Sequence, residues 1–265
     1  MKYTILLLSV LCFSCTDYTG FGQKWTAVDS AHVKITNNKG QGDTTCWGTR
    51  NMRVVLKGVL YRGGGNNLHL KPLDAKKYNQ NPLPLAGIKS LDEIGFDKAI
   101  YLYSKNFEIN YPPARIDSLK QQGFTYECRP EWTEIELNAF IEELYQKIQH
   151  PPYQPIYIHC WNGWHQSGLV SAVMLMQFCD LNNYQAIQYW EENTDGNHKG
   201  FAAVKKKILA FKKNPAFAIS EEQKKQICPC FHDSILNAQP SEEIKKLEQE
   251  GNEGAGEFME QNKKP

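Results

Sequence analysis

The chain has 265 residues, of which 41% are hydrophobic and 22% charged, with a formal net charge of +1. These are the values of a globular chain with room for one ordinary domain, and so small a net charge removes the electrostatic basis for nucleic-acid binding. No repeat is visible, and no apolar run reaches the ~18 residues that would span a bilayer.

The first residues, MKYTILLLSVLCFSC, place Lys2 before an apolar stretch from Ile5 to Phe13, with small Ser14 before Cys15. The stretch is too short for a membrane span and reads as a secretory leader over 1–15. Its end resembles a bacterial lipoprotein signal, which implies lipidation of Cys15, with Cys12 and Phe13 standing where small or aliphatic residues are more usual. Secretion with cleavage elsewhere is the alternative. Acyl chains on Cys15 would hold the exported protein on a membrane, facing the periplasm or the cell surface, without a spanning helix. Residues 16–50, rich in Gly, Thr, Asn and Asp, are expected as a tether into a domain over 51–215, with 216–265 a partly disordered extension.

Within the domain, MRVVLKGVLYRGGG (52–65) predicts a strand running into a glycine turn. FDKAIYLYS (96–104) and FTYECR (124–129) are further strand candidates, separated by a short helix at 112–123 that stops at Gly123. Thr133 and Glu136 form a capping box, and Leu137, Phe140, Ile141, Leu144 and Ile148 share one face of the helix it opens. PIYIHC (155–160) is a buried strand by its short apolar run, and SGLVSAVMLMQFC is apolar nearly all round, a helix buried on most sides. Helices follow at 184–193 and 201–213, and the tail from Pro240 has no sustained apolar face. Alternating strands and helices predict an α/β fold with a central, largely parallel sheet of four to five strands flanked by helices.

Beyond the leader the cysteines are Cys46, Cys128, Cys160, Cys179, Cys228 and Cys230. Export permits disulfides, and Cys46 with Cys228 or Cys230 are the partners suggested by their places outside the predicted core; Cys179 reads as a core residue. The CPCFH stretch (Cys228, Cys230, His232) has the form of half a metal site, but no second pair with ligand spacing accompanies it. His32, His69, His150 and His232 show no metal spacing either, so neither metal nor cofactor is expected.

At 157–173, YIHCWNGWHQSGLVSAV runs from strand through a tight loop into helix. Loop amides and a helix N-terminus together make an anion cradle. A thiol at its base gains thiolate character and is placed to attack a bound phosphomonoester. Gly163 permits a backbone shape that a Cβ would resist.

His159, Cys160, Gly163, Ser167 and Gly168 fall at the fixed places of a His-Cys-x-x-Gly-x-x-Arg-Ser-Gly loop. The chain thereby resembles the cysteine-dependent protein tyrosine and dual-specificity phosphatases, as an atypical bacterial member with Gln166 in the place of the loop Arg. Less tightly, VLYRGG (59–64) looks like the Tyr-Arg-Ser-Gly turn of many bacterial members, and the resemblance covers residues 52 to about 213. It implies that Cys160 is the nucleophile, that His159 orients the loop and helps keep the thiol ionised, and that Ser167 assists the sulfur's departure. Trp161, Asn162, Gly163, Trp164, His165 and Gln166 would wrap the phosphate. The general acid would be a carboxyl some 30 residues upstream, where Glu131 stands, with Glu134 the second choice. The ligand would be a phosphorylated small molecule or a phosphoprotein.

Gln166 removes the charged fork that stabilises the transferring phosphoryl group. Three readings follow. Another cation substitutes, from His165, Arg62 or Arg129; the cradle binds a phosphorylated or anionic ligand without turnover; or the thiol serves a different transfer or hydrolysis on a less charged substrate. Trp161 and Trp164 either offer a stacking surface or pack the loop. NTDGNHKG (193–200) reads as a polar turn that could also reach the site, and the lysines of VKKKILAFKK as a solvated face or a contact for anionic lipid.

Overall fold

The computed structural model describes residues 28–65, 82–130, 132–152 and 154–250. The expected leader, Cys15, Glu131 and the end of the tail after 250 lie outside the described residues. In chain order the elements are β1 (Thr49–Leu56), β2 (Leu60–Gly65), α1 (Leu85–Glu93), β3 (Lys98–Tyr101), α2 (Phe107–Asn110), α3 (Pro113–Gln121), β4 (Thr125–Cys128), α4 (Glu134–Gln149), β5 (Ile156–Cys160) and α5 (Gln166–Cys179). Then come α6 (Asn183–Glu192), α7 (Ala202–Ala210), α8 (Glu221–Ile227), α9 (Asp233–Leu236) and a last helix, α10, over 242–250.

Five strands form one sheet in the order β1-β2-β5-β3-β4. Only β1 runs antiparallel, against β2; every other pairing is parallel. The single strand expected over 52–65 is instead a hairpin. Lys57–Gly58 turns the chain, with Gly58 at φ +70°, so the apolar run folds on itself. The triple glycine is no turn: Gly63, Gly64 and Gly65 end β2, with Gly63 opposite His159 and Gly64 opposite Cys160.

Alternation along the strands divides the core in two. Ile156 and Ile158 face one way, with Leu60, Val55, Leu144, Val170 and Trp190, under α4, α5 and α6. Tyr157 faces the other, with Tyr61, Val54, Ile88, Leu91 and Leu119, under α1 and α3. The helix opened by Thr133 caps as the sequence demands, with Thr133 Oγ1 accepting from the Glu136 amide and the Glu136 carboxylate accepting from the Thr133 amide. Helix α5 is buried from Ser167 to Phe178. Residues beyond the expected domain boundary also pack on this core, through Ile219, Ile227, Ile235, Ile244 and Leu247.

The disulfide joins Cys179 to Cys228, not Cys46 to Cys228 or Cys230. The sheet decides this. Cys46 is buried in the core under α1, whereas Cys179 and Cys228 lie against the core under α5, on the opposite face. Helix α5 ends at Cys179, and α8 ends one residue before Cys228. Among the described residues no helix is long and apolar enough to cross a membrane.

Candidate active site

Strand β5 ends at Cys160 and α5 begins at Gln166, so Trp161–His165 is the connecting loop at the carboxyl edge of the parallel strands, where α/β sheets bind ligands. The loop's carbonyls are held from outside. His159 Nδ1 lies 3.2 Å from the Cys160 oxygen, Asn51 Nδ2 donates to the Asn162 oxygen at 2.8 Å, and Arg62 Nη2 donates to the Gly163 oxygen at 2.6 Å. A planar peptide carries the next N–H to the side opposite its carbonyl. The amides of Trp161, Gly163 and Trp164 are thereby turned into the loop, and among the described residues none of them donates to a backbone carbonyl. With the N-terminus of α5 they make a positively polarised cup.

Glycines let this loop sit on β2. Gly163 has φ +78°, and a Cβ there would meet the Gly63 carbonyl carbon at 2.6 Å. A Cβ at Gly64 would meet the Trp161 oxygen at 2.5 Å, and one at Gly63 would overlap the Tyr157 hydroxyl. VLYRGGG is therefore the bed of the loop.

Cys160 is buried, with Sγ 3.4 Å from Ser167 Oγ, which also bonds the Gly63 oxygen at 3.2 Å. His159 is fully buried, and burial pushes its pKa down to about 3, so the ring is neutral. Because the Cys160 carbonyl only accepts, Nδ1 carries the proton. Nε2 must then accept, and Tyr126 Oη donates to it at 2.9 Å while accepting the Leu83 amide, also at 2.9 Å. A neutral ring fixes the loop's geometry but supplies no charge to the sulfur.

The three cations expected to replace the missing Arg are all engaged elsewhere. His165 stacks on Phe201 at 3.6 Å and donates Nε2–H to the Asn197 oxygen at 2.7 Å; burial holds it below the usual His range. Arg62 braces the loop from behind, bonding the Asn193 oxygen at 3.0 Å as well as Gly163. Arg129 is taken by Glu127 and Glu143.

Sequence reasoning missed Arg50 and Arg53. Arg50 Nη1 donates to Asn162 Oδ1 at 3.1 Å, and its other nitrogen reaches Asn38 Oδ1. Arg53 donates to the Asn51 oxygen at 3.1 Å and lies 3.6 Å from Asp195. Burial first, then the charge of Arg62, pushes Arg53 down to about 10. Arg50, Arg53 and Arg62 are 4%, 2% and 0% exposed, and among the described residues the one carboxylate ion-paired to any of them is Asp195. Burial opposes ionisation of Asp195, but Lys34 and Arg53 outweigh it and hold its pKa below the usual carboxylate range. The hairpin alternation hid this signal: three arginines in an apolar strand pair are too costly to bury without an anion or many acceptors to meet them.

The 193–200 stretch is the turn expected, with Asp195 and Gly196 at φ +52° and +80°. It also grips the loop, since Trp164 Nε1 donates to Asp195 at 3.3 Å and Asn197 accepts from His165. Trp161 is pinned by a 2.9 Å bond to Tyr101 and lies tilted against Tyr103, ring centroids 4.6 Å apart. Gln166, at the start of α5, lines with Trp132, Glu134, Leu137, Phe211 and Lys212 a cleft of 820 Å³ between α4, α5 and α7. The basic stripe of α7 is partly consumed by ion pairs, with Lys205 buried between Glu191 and Glu243 and Lys206 on Glu250.

No protein-family model and no curated protein matches the chain. Among solved structures, a cysteine-to-serine variant of P. aeruginosa TpbA in complex with phosphotyrosine is similar over 65% of this chain and 89% of that one, at 11% identity and a TM-score of 0.40. The core catalytic domain of the S. cerevisiae PP-IP phosphatase Siw14, in complex with citrate, is similar over 66% and 89%, at 16% identity and a TM-score of 0.41. Kinase-associated phosphatase, with serine for its catalytic-site cysteine, is similar over 47% and 72%, at 18% identity and a TM-score of 0.37. At such identities and scores the chemistry has to be read from the loop itself.

Proposed function

We propose that this chain is an exported, lipid-anchored protein whose domain is a cysteine-dependent phosphatase of the tyrosine and dual-specificity kind, with slow turnover. The observation that carries the reading is the contact of Cys160 Sγ with Ser167 Oγ at the base of a loop whose carbonyls are held outward. A module that only bound anions would need the cup, not a thiol paired with a hydroxyl beneath it.

In the reaction proposed, Cys160 Sγ attacks the phosphorus of a phosphomonoester. The bond to the leaving alcohol breaks, and that oxygen takes a proton from a carboxylic acid. Glu131 is the first candidate; Glu134, on the cleft wall with Gln166, is the second. Water then attacks the phosphocysteine and returns a proton to the carboxylate, the P–S bond breaks, and the sulfur leaves as a thiolate that accepts from the Ser167 hydroxyl. The ligand is a phosphorylated small molecule or a phosphoprotein.

A second reading, a pseudophosphatase that holds such a ligand without turnover, is favoured by Gln166 and by the engagement of His165, Arg62 and Arg129 in other bonds. An aryl phosphate assay from pH 4.5 to 8 separates the two. The expected result is slow turnover abolished in Cys160→Ser and raised by about 10²–10³ in Gln166→Arg, the scale on which a single transition-state donor acts. Turnover unaffected by Cys160→Ser would refute the mechanism, and a silent wild type that still binds inorganic phosphate would establish the second reading.

A further inference from the structure

Three side chains far apart in sequence meet at the rim of the domain. The N-terminal extension and the C-terminal extension pair as a short parallel bridge, Ser30 with Cys230, through bonds from Ala31 N to the Cys230 oxygen at 3.2 Å and from Cys230 N to the Asp29 oxygen at 2.5 Å. The bridge holds the two segments side by side; the N-terminal one turns at Ala31–His32, and His32 and His232, each two residues past the bridge, stack their rings with centroids 3.6 Å apart. Glu192, the last residue of α6, comes up beside them, its Oε2 3.6 Å from His32 Nδ1. Each of the three presents a ligand atom, and these atoms lie within 4.8 Å of one another.

We propose that His32, Glu192 and His232 form a binding site for a divalent transition-metal ion of the zinc class. Two imidazoles and a carboxylate suit zinc and its first-row neighbours rather than magnesium or calcium, which favour all-oxygen sites. Ligand atoms at about 2.0–2.1 Å from a tetrahedral ion are about 3.3 Å apart, so a movement of about 1.5 Å closes the cluster. His232 is exposed, which leaves its ring free to tilt out of the stack and converge. Three protein ligands leave the fourth position for water. Spacing pointed to His232 only as part of the CPCFH half-site and not to this set, because the ligands are separated by 160 and 40 residues and only the bridge aligns them.

The ion would tie both extensions to the end of α6. The residues that follow Glu192 hold Arg62, Trp164 and His165, so this clamp lies next to the element that braces the Cys160 loop. It is nevertheless independent of what that loop does.

The test is calorimetric titration of metal-stripped full-length chain with zinc chloride, repeated with cobalt(II) for its absorption spectrum. Wild type should bind one equivalent, raise its melting temperature, and give a cobalt spectrum without sulfur charge transfer. Loss of an outer-shell partner alone costs metal sites roughly 10–100-fold, so His232→Ala, at an exposed position, should weaken binding at least that far without lowering the metal-free melting temperature. Cys230→Ser and Cys160→Ser should bind as wild type does. Binding that persists in the His32→Ala/His232→Ala double variant, binding abolished by Cys230→Ser, or no binding at micromolar zinc would each overturn the proposal.

Discussion

Gly64→Ala would dislodge the Cys160 loop without altering any residue of the loop. Gly64 sits on β2 opposite Cys160, and its φ is not in the left-handed region, so the cost is purely steric. The new Cβ would stand 2.5 Å from the Trp161 oxygen and 2.7 Å from the Asn162 carbonyl carbon, where ordinary contact begins at 3.4 Å. The shortfall, 3.4 − 2.5 = 0.9 Å, falls on backbone atoms that cannot rotate away. Overpacking of this kind costs about 1–3 kcal/mol, or roughly 2–12 °C in melting temperature at this chain length. Displacing a reacting group by about 1 Å costs around 10²-fold in rate, so turnover and phosphate affinity should collapse while the fold persists. The control is Gly123→Ala. Gly123 has φ +91° and nothing within 4 Å of a Cβ, at the end of α3 far along the chain from the loop. Its strain costs about 1–2 kcal/mol, comparable in stability, and activity should survive. Paired melting curves and aryl phosphate kinetics decide the matter. A Gly64→Ala protein with wild-type kinetics, or a Gly123→Ala protein that loses as much activity, would refute the claim that β2 is the bed of the loop.

The disulfide closes 49 residues, for which chain entropy assigns about 4 kcal/mol. Reduction, or a Cys179→Ala/Cys228→Ala double variant, should lower the melting temperature by roughly 8–16 °C, and non-reducing peptide mapping should recover the Cys179–Cys228 pair and not one containing Cys46. His159 makes stability pH-dependent: its folded pKa of about 3 lies below the unfolded 6.5, so its contribution is full above pH 6.5. Between pH 6.5 and 3 the unfolded chain takes up a proton that the folded chain refuses, and stability falls by about 1.4 kcal/mol per unit. Histidine NMR should show the His159 imidazole neutral at pH 5; titration of His159 near 6.5 would contradict the Tyr126 bond that fixes its tautomer.

Local pattern carried the elements whose burial is one-sided or complete. The Thr133 cap, the 155–160 strand and the α5 helix are each specified by neighbours within a few residues. What sequence could not carry were pairings decided by the sheet. Residues 52–65 are apolar on both sides of Lys57–Gly58, so one long strand and a hairpin have the same pattern, and only pairing against β5 distinguishes them. The partner of Cys228 depends on which face of the sheet each cysteine occupies, which no spacing encodes. In the site, the loop residues were legible because they are contiguous. Arg50, Arg53, Asn51 and Tyr126 were not, because their role comes from register: three sit on the edge strand β1, separated from β5 by β2, and reach the loop or its supports by their side chains.

That register bears on what Gln166 does to the chemistry. Adjacent strands are about 4.8 Å apart; Arg50 and Arg53 reach from β1 and Arg62 from β2 to the outer side of the loop or its supports, so each charge is taken as roughly 10 Å from an anion inside the loop. At an effective dielectric of 20 such a charge contributes about 1.7 kcal/mol. Three buried arginines against Asp195 therefore add a favourable field of a few kcal/mol in total, without any of them forking the phosphate. A field from that distance changes little as the phosphoryl group moves between oxygens, so it stabilises bound substrate and transition state almost equally. An in-loop Arg, by contrast, tightens as charge shifts to the equatorial oxygens. Uniform stabilisation lowers KM and leaves kcat behind. Under the proposed function, arginines behind the loop and glutamine within it argue for a site that holds a phosphorylated ligand well and turns it over slowly, and Gln166→Arg should raise kcat far more than it lowers KM.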